Sequence, residues 1–192
     1  MNMPRVWLMV FTAYVLTSCV LAERQQGPCV VDEVNLPHQI PACALEPRQD
    51  GEYVPVKYLR KSKFNQYGLT DLYLDPGGWI YLNRKGRVVI RNVAAGENSA
   101  IEFHHGLVIL ERDEKFGYAD ATGRIIIPIQ YDGAAYSDED PLPMVCTGCR
   151  IEHEDEHRLI QGGLWFTVDH DGHLHSISTP SWAAGGMGHP SR

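Results

Sequence analysis

The sequence predicts an all-β protein in which antiparallel hairpins, arranged as meander repeats, share one core with few or no long helices. Three observations carry that expectation. Gly (18) and Pro (12) are frequent among the 192 residues, which favours many turns between short elements. Three segments share one pattern, an aromatic residue that opens a short strand and an Asn or Asp three residues before a Gly. No segment shows the apolar spacing of a long amphipathic helix. A chain of 192 residues and 21.6 kDa holds one ordinary domain, or at most two small ones, and excludes a large multidomain machine. Acidic residues outnumber basic ones 24 to 17, and no basic cluster exceeds the short run Arg60-Lys61-x-Lys63. That balance argues against a nucleic-acid partner, whose phosphates call for clustered cations.

Residues 1–22 read as an export signal. Arg5 precedes an apolar run from Val6 to Leu16. A run of about 11 residues is too short to cross a bilayer of roughly 30 Å as a helix, but it has the length of a signal-peptide core. Two processing sites compete. Val20-x-Ala22 suits ordinary signal peptidase, whereas Leu16-Thr17-Ser18-Cys19 resembles the bacterial lipobox, in which Cys19 Sγ carries the lipid and anchors the protein to a membrane. The mature protein is then a periplasm-facing lipoprotein or a secreted protein of the bacterial envelope. Either cut removes Cys19 from the five cysteines and leaves two short-range pairs, Cys29 with Cys43 and Cys146 with Cys149. In an oxidising compartment both pairs are expected as disulfides.

Residues 23–52 form a Pro-rich segment, with Pro28, Pro37, Pro41 and Pro47, that reads as extended chain or loop. A Cys29–Cys43 bond would close a 15-residue loop there and stabilise by about 3 kcal/mol on the chain-entropy model. The β-rich domain is expected over 53–177. Tyr53-Val-Pro-Val-Lys-Tyr58 alternates as an edge strand would, since Pro55 cannot donate to a central ladder. Leu69 to Leu74 forms the next strand, ended by Asp75-Pro-Gly-Gly78.

Beyond it lie the three recurring segments. They run from Trp79 through Tyr81, Asn83 and Gly86 to Ile90, from Phe116 through Gly117, Tyr118, Asp120 and Gly123 to Pro128, and from Trp165 through Asp169 and Gly172 to Leu174. Each reads as strand, tight turn, strand. The Asn or Asp accepts from backbone two residues on, and the Gly supplies the positive φ that closes the turn. The β-branched runs after Gly86 and Gly123 suit a sheet buried on both faces or nearly so. Phe103 and Tyr136 then look like aromatic anchors before a third strand in each of the first two units. From Ser178 onward the tail, with Ala183-Ala-Gly-Gly-Met-Gly188, is expected to be mobile for want of apolar residues.

Lys115-Phe116-Gly117-Tyr118-x-Asp120-x-x-Gly123, followed by three Ile, Pro128, and then Tyr131-Asp132, resembles the WG repeat. That pattern is an aromatic-Gly-Tyr, an Asp-x-x-Gly turn, apolar residues, Pro and Tyr-Asp. The first unit keeps Trp79, Tyr81, Asn83 and Gly86, with Ile80 in place of the motif Gly and Arg91 in place of Pro; the third keeps Trp165, Asp169 and Gly172. The resemblance spans about Gly78 to Leu174. It implies a β-rich repeat architecture and a binding or scaffolding role, with no catalytic residues.

The stretch with the most chemistry is Cys146-Thr-Gly-Cys149-Arg-Ile-Glu-His153-Glu-Asp-Glu-His157, where the spacing between turn glycines lengthens from 37 to 49. Cys146, Cys149, His153 and His157 have the ligand types of a tetrahedral zinc, although their pairs are closer than such sites usually place them. A redox CxxC needs a lowered thiol pKa, which the acidic run Glu152 to Glu156 opposes. A local disulfide stiffening a loop is the simplest reading. His104-His105 on a turn reads as solvated, as does the acidic run. His170, His173 and His175 surround the third turn, where His173 and His175 could share a strand face. No catalytic motif and no cofactor site emerges. The expectation is a non-enzymatic binding or interaction module whose partner is a protein or other envelope ligand. A metal-binding or thiol-redox protein using Cys146 and Cys149 stands as the alternative.

Overall fold

Short β-branched and aromatic runs, broken by Gly and Asx residues, set the architecture. The computed structural model describes residues 39–137, 141–154, 157–169, 171–181 and 183. Residues 1–22, expected as an export signal that includes Cys19, lie outside them, as do Cys29, His170 and the chain after Ala183. Strand β1 (Gln39–Pro41) leads through a short 3₁₀ turn to the hairpin of β2 (Glu46–Arg48) and β3 (Gly51–Tyr53). Next come β4 (Leu69–Asp75), β5 (Gly78–Asn83), β6 (Val88–Val93), β7 (Leu107–Arg112), β8 (Lys115–Asp120) and β9 (Ile125–Tyr131). The last strands are β10 (Gly133–Ala135), β11 (Met144–Glu154), β12 (His157–Val168) and β13 (Leu174–Ile177).

The protein is all-β. Strands β4 to β9 pair in chain order as an antiparallel meander, with β1 added parallel to β4, and β10 to β13 form a second antiparallel sheet. In each of the strand triplets β4-β5-β6, β7-β8-β9 and β11-β12-β13, an Asx-x-x-Gly turn joins the second strand to the third, and β10 lies between the last two triplets. The pairing Tyr81 with Ile90 and Leu82 with Val88 reappears 37 residues on as Tyr118 with Ile127 and Ala119 with Ile125, with register shifts at the same tyrosine.

Alternation along β5 buries both faces. Ile80 and Leu82 join Ile40, Val54, Leu59, Leu72 and Leu74 on one side, while Tyr81 joins Ile90, Val93, Val108 and Leu110 on the other. A third cluster of Ile109, Phe116, Tyr118, Ile127, Val145 and Val168 couples the two sheets, and Ile101 packs against both it and the Tyr81 cluster. Arg158 of β12 grips Glu111 of β7 with two hydrogen bonds of 2.9 and 2.7 Å, a bidentate tie between the sheets.

Several expectations need correction. The Tyr53–Tyr58 strand ends at Tyr53, and Val56–Leu59 turns as a 3₁₀ helix after Pro55, where Leu59 is buried. Within the Pro-rich segment the extended stretch Gln39–Pro41 pairs with Tyr73–Asp75 and so covers the open edge of β4. Ile125 and Ile126 are 56% and 41% exposed, so β9 is not buried on both faces; it is the last strand of its sheet. The acidic run is not a loop as far as Glu154, where β11 still pairs with β12 in a long hairpin. Nor does order stop at Ser178: Ala183 is buried beside Trp165, and its carbonyl accepts the Gly162 N–H at 3.0 Å.

Candidate functional site

The recurring turns are the local devices that position everything else. In the first, Asn83 Oδ1 accepts the N–H groups of Lys85 and Arg87 at 3.0 and 3.1 Å. Asp120 Oδ1 takes those of Thr122 and Arg124 at 2.9 and 3.1 Å, and Asp169 Oδ1 those of Asp171 and His173 at 3.0 and 2.9 Å. Gly86, Gly123 and Gly172 sit at φ of 81°, 88° and 84°. The sequence reading missed a fourth turn of the same make, in which Asn65 Oδ1 accepts from Tyr67 and Leu69 at 3.0 and 3.1 Å and Gly68 has φ 72°. Its signal, Asn-x-x-Gly before the Leu69 strand, was present; no aromatic-led strand precedes it to attract notice.

Two tyrosines, Tyr81 and Tyr118, tie β5 and β8 to the segments that follow their hairpins; the corresponding position on β12 is Thr167. Tyr81 donates from its hydroxyl to the Ile101 carbonyl at 2.9 Å, and the single O–H of Tyr118 is shared between the carbonyls of Ala135 and Met144, whose oxygens lie 2.7 and 2.8 Å away. Burial pushes both phenols well above their ordinary pKa, so both remain donors. The anchors Phe103 and Tyr136 lie against these rings at 5.0 and 5.9 Å. Gly117 is required by close approach, since a Cβ there would lie 2.5 Å from the Ile127 carbonyl oxygen and 2.8 Å from Pro128 C. Tyr131 pairs with Phe116 across the hairpin, and Asp132 accepts from both Lys115 Nζ and the Gly148 N–H. The lysine hydrogen bond, then the amide, holds the Asp132 carboxyl below its ordinary pKa. Trp79 packs edge-on against Tyr73, and Trp165 is buried, donating Nε1–H to the Gly162 carbonyl at 3.0 Å.

Cys146 and Cys149 are bonded to each other within β11, their Cα atoms 6.0 Å apart. The β11–β12 register is the same on either side of the pair, with Thr147 opposite Leu164 and Cys149 opposite Gly162. Between them Gly148 has φ 75°, and on the facing strand Gly162 and Gly163 have φ 70° and 71°. A Cβ at Gly163 would lie 2.5 and 2.6 Å from the two Sγ atoms, so that glycine makes the room for the disulfide. Cys146 is fully buried and Cys149 half-buried. His153 faces Arg158 four residues further along an extended strand, a span of about 13 Å at roughly 3.3 Å per residue. His157 pairs with Glu154 at the hairpin end. The chain therefore does not bring these histidines to the two sulfurs. Cys43 is also disulfide-bonded.

Two concavities flank the units. A cleft of about 420 Å³ is lined by Lys63, Tyr67, Asp71, Tyr81, Glu102 and Phe103. A groove of about 590 Å³ has an apolar floor of Val89, Leu110, Ala119 and Ile129, with Ile125 at its edge and the Arg91–Glu52 ion pair and Arg112 on its rim. His104 stacks on Tyr136 at 4.8 Å and against His105 at 4.4 Å. At the third turn, His173 and His175 converge on Asp169, with His175 Nε2 2.8 Å from Oδ2. No protein-family model, curated protein or solved structure matches the chain.

Proposed function

We propose that this protein is a non-enzymatic binding module of the bacterial envelope, built from WG-type repeats and receiving a partner polypeptide along β9. One observation carries the reading: Ile125 and Ile126 stand exposed on the end strand of the meander, and Ile125 borders the groove floored by Val89, Leu110 and Ile129. An end strand offers backbone groups to an incoming strand, and the isoleucines offer apolar area. The charged rim of Glu52, Arg91 and Arg112 supplies register. The export signal and the WG-like residues support the envelope setting. The test is a photo-reactive residue at position 126 in cells carrying the full chain, with position 97 as control. A discrete protein adduct from 126 alone supports the reading, and equal adducts from both positions contradict it.

The cysteine pair favours a second reading, thiol exchange at the envelope, because Cys149 keeps part of its surface open. A Cys146→Ser/Cys149→Ser variant separates the two. Unchanged adduct formation favours the module, and loss of thiol-exchange activity favours the alternative.

A further inference from the structure

The third turn differs from its fellows in what meets the outer carboxylate oxygen. In all three the inner oxygen is engaged by two backbone N–H groups. In the second turn Asp120 Oδ2 accepts from Arg124 Nε at 3.1 Å, and a guanidinium cannot give up its proton at any ordinary pH. The first turn has an amide, Asn83, with Arg87 after the glycine. Only the third places imidazoles there. Asp169 Oδ2 lies 2.8 Å from His175 Nε2 and 3.4 Å from His173 Nδ1. Asp171, which has Thr122 and Lys85 as its counterparts, adds a second carboxylate. The ligand atoms of Asp169, Asp171 and His173 all lie within 4.8 Å of one another.

We propose that Asp169, Asp171 and His173 form a site for a divalent transition metal of the zinc type, with His175 as the positioning residue that donates from Nε2 to Asp169 Oδ2. One imidazole nitrogen and two carboxylate oxygens are suitable donors for such an ion, and an imidazole favours it over calcium or magnesium. A hydrogen bond to a ligating carboxylate is the usual outer support of a metal site. The His173 side chain is 72% exposed, so water reaches the remaining coordination positions. The hydrogen-bonded turn and the Thr167–His175 pairing of β12 with β13 hold the donors before metal arrives. This site uses neither the cysteines nor the β9 groove, so it stands or falls apart from the binding-module reading.

The chain supplies its own conservative variants. Asp169→Asn preserves the turn, since Asn83 closes the first turn through the same two bonds, and His173→Arg reproduces the residue found at 87 and 124. Zinc chloride is titrated into the purified full chain by calorimetry, with calcium chloride in parallel and circular dichroism to follow the fold. The expected result is one saturable zinc per chain, lost by at least tenfold in affinity in both variants and unchanged in His104→Gln/His105→Gln. His175→Ala should weaken binding by several-fold, and His175→Gln, which restores an N–H donor, should recover it. Absence of saturable zinc binding, wild-type affinity in Asp169→Asn and His173→Arg, or calcium binding as tight as zinc would each overturn the assignment.

Discussion

A side-chain carbon at Gly123 would lie 2.3 Å from the carbonyl oxygen of Val89, and one at Gly86 would lie 2.3 Å from that of Val54. These two turn glycines thus sit directly on the backbone of an earlier element, Val89 of β6 and Val54 after β3. The turn is closed by a local Asx hydrogen bond, but its glycine also lets the second unit press onto β6 and the first onto the segment after β3. Local turn chemistry and packing between units therefore depend on the same residue.

Gly123→Ala and Gly86→Ala combine a positive φ with a backbone collision, and each should destabilise by about 3 kcal/mol. Gly172→Ala has the same φ but nothing within 4 Å of the added carbon, and it should cost only about 1 kcal/mol. Urea denaturation of the three variants checks the order. Equal costs at all three positions would mean that the contacts with Val54 and Val89 add nothing.

Tyr118→Phe removes a fully buried hydroxyl whose proton the Ala135 and Met144 carbonyls share, leaving the buried Met144 carbonyl without it, and it should cost about 2 kcal/mol. Tyr81→Phe removes a single bond to Ile101 and should cost about 1 kcal/mol. Chemical denaturation decides between this ranking and one set by ring packing alone, in which both changes would be nearly silent.

The disulfide depends on Gly163. Gly163→Ala places a methyl group against both sulfurs, so thiol titration of the denatured variant should find free cysteines where the parent chain has none from this pair. Cys146→Ser/Cys149→Ser, which loses a very short cross-link, should lower stability by about 2 kcal/mol on the chain-entropy model.

Asp132 sets an acid dependence. Its carboxyl titrates below the ordinary 3.8 because Lys115 and then the Gly148 amide hydrogen-bond its charged form. A depressed folded pKa contributes stability that is complete above the unfolded value and is lost as pH falls through the folded one. Stability measured downward from about pH 5 should therefore fall less steeply in Asp132→Asn than in the parent chain. Parallel curves for the two proteins would show that the carboxylate is not so held.

The sequence revealed the parts of the fold that are set locally. The Asx-x-x-Gly turns and the strands beside them follow from backbone preferences that a single segment displays, while what Tyr81 and Tyr118 bond to, the carbonyls of Ile101, Ala135 and Met144, does not. What it hid depends on distant partners. Nothing near Gln39 announces that it will line up beside Tyr73, and nothing within Ile125-Ile-Ile distinguishes a central strand from an end strand. Cys146, Cys149, His153 and His157 have the ligand types of a zinc site at a spacing that argued against one; β11 runs straight on past the disulfide, because its pairing with β12 continues as far as Glu154. At the third turn the histidines were visible, but their common partner, the outer oxygen of Asp169, emerges only once the turn has folded.

The most direct test of the proposed role is the double variant Ile125→Glu/Ile126→Glu carrying the photo-reactive residue at position 129. Both side chains are exposed, so the fold should be preserved within about 1 kcal/mol. If β9 receives the partner, the adduct formed from position 129 in the parent chain disappears in the double variant while its denaturation midpoint barely moves. An adduct of undiminished yield in the folded double variant would contradict the claim.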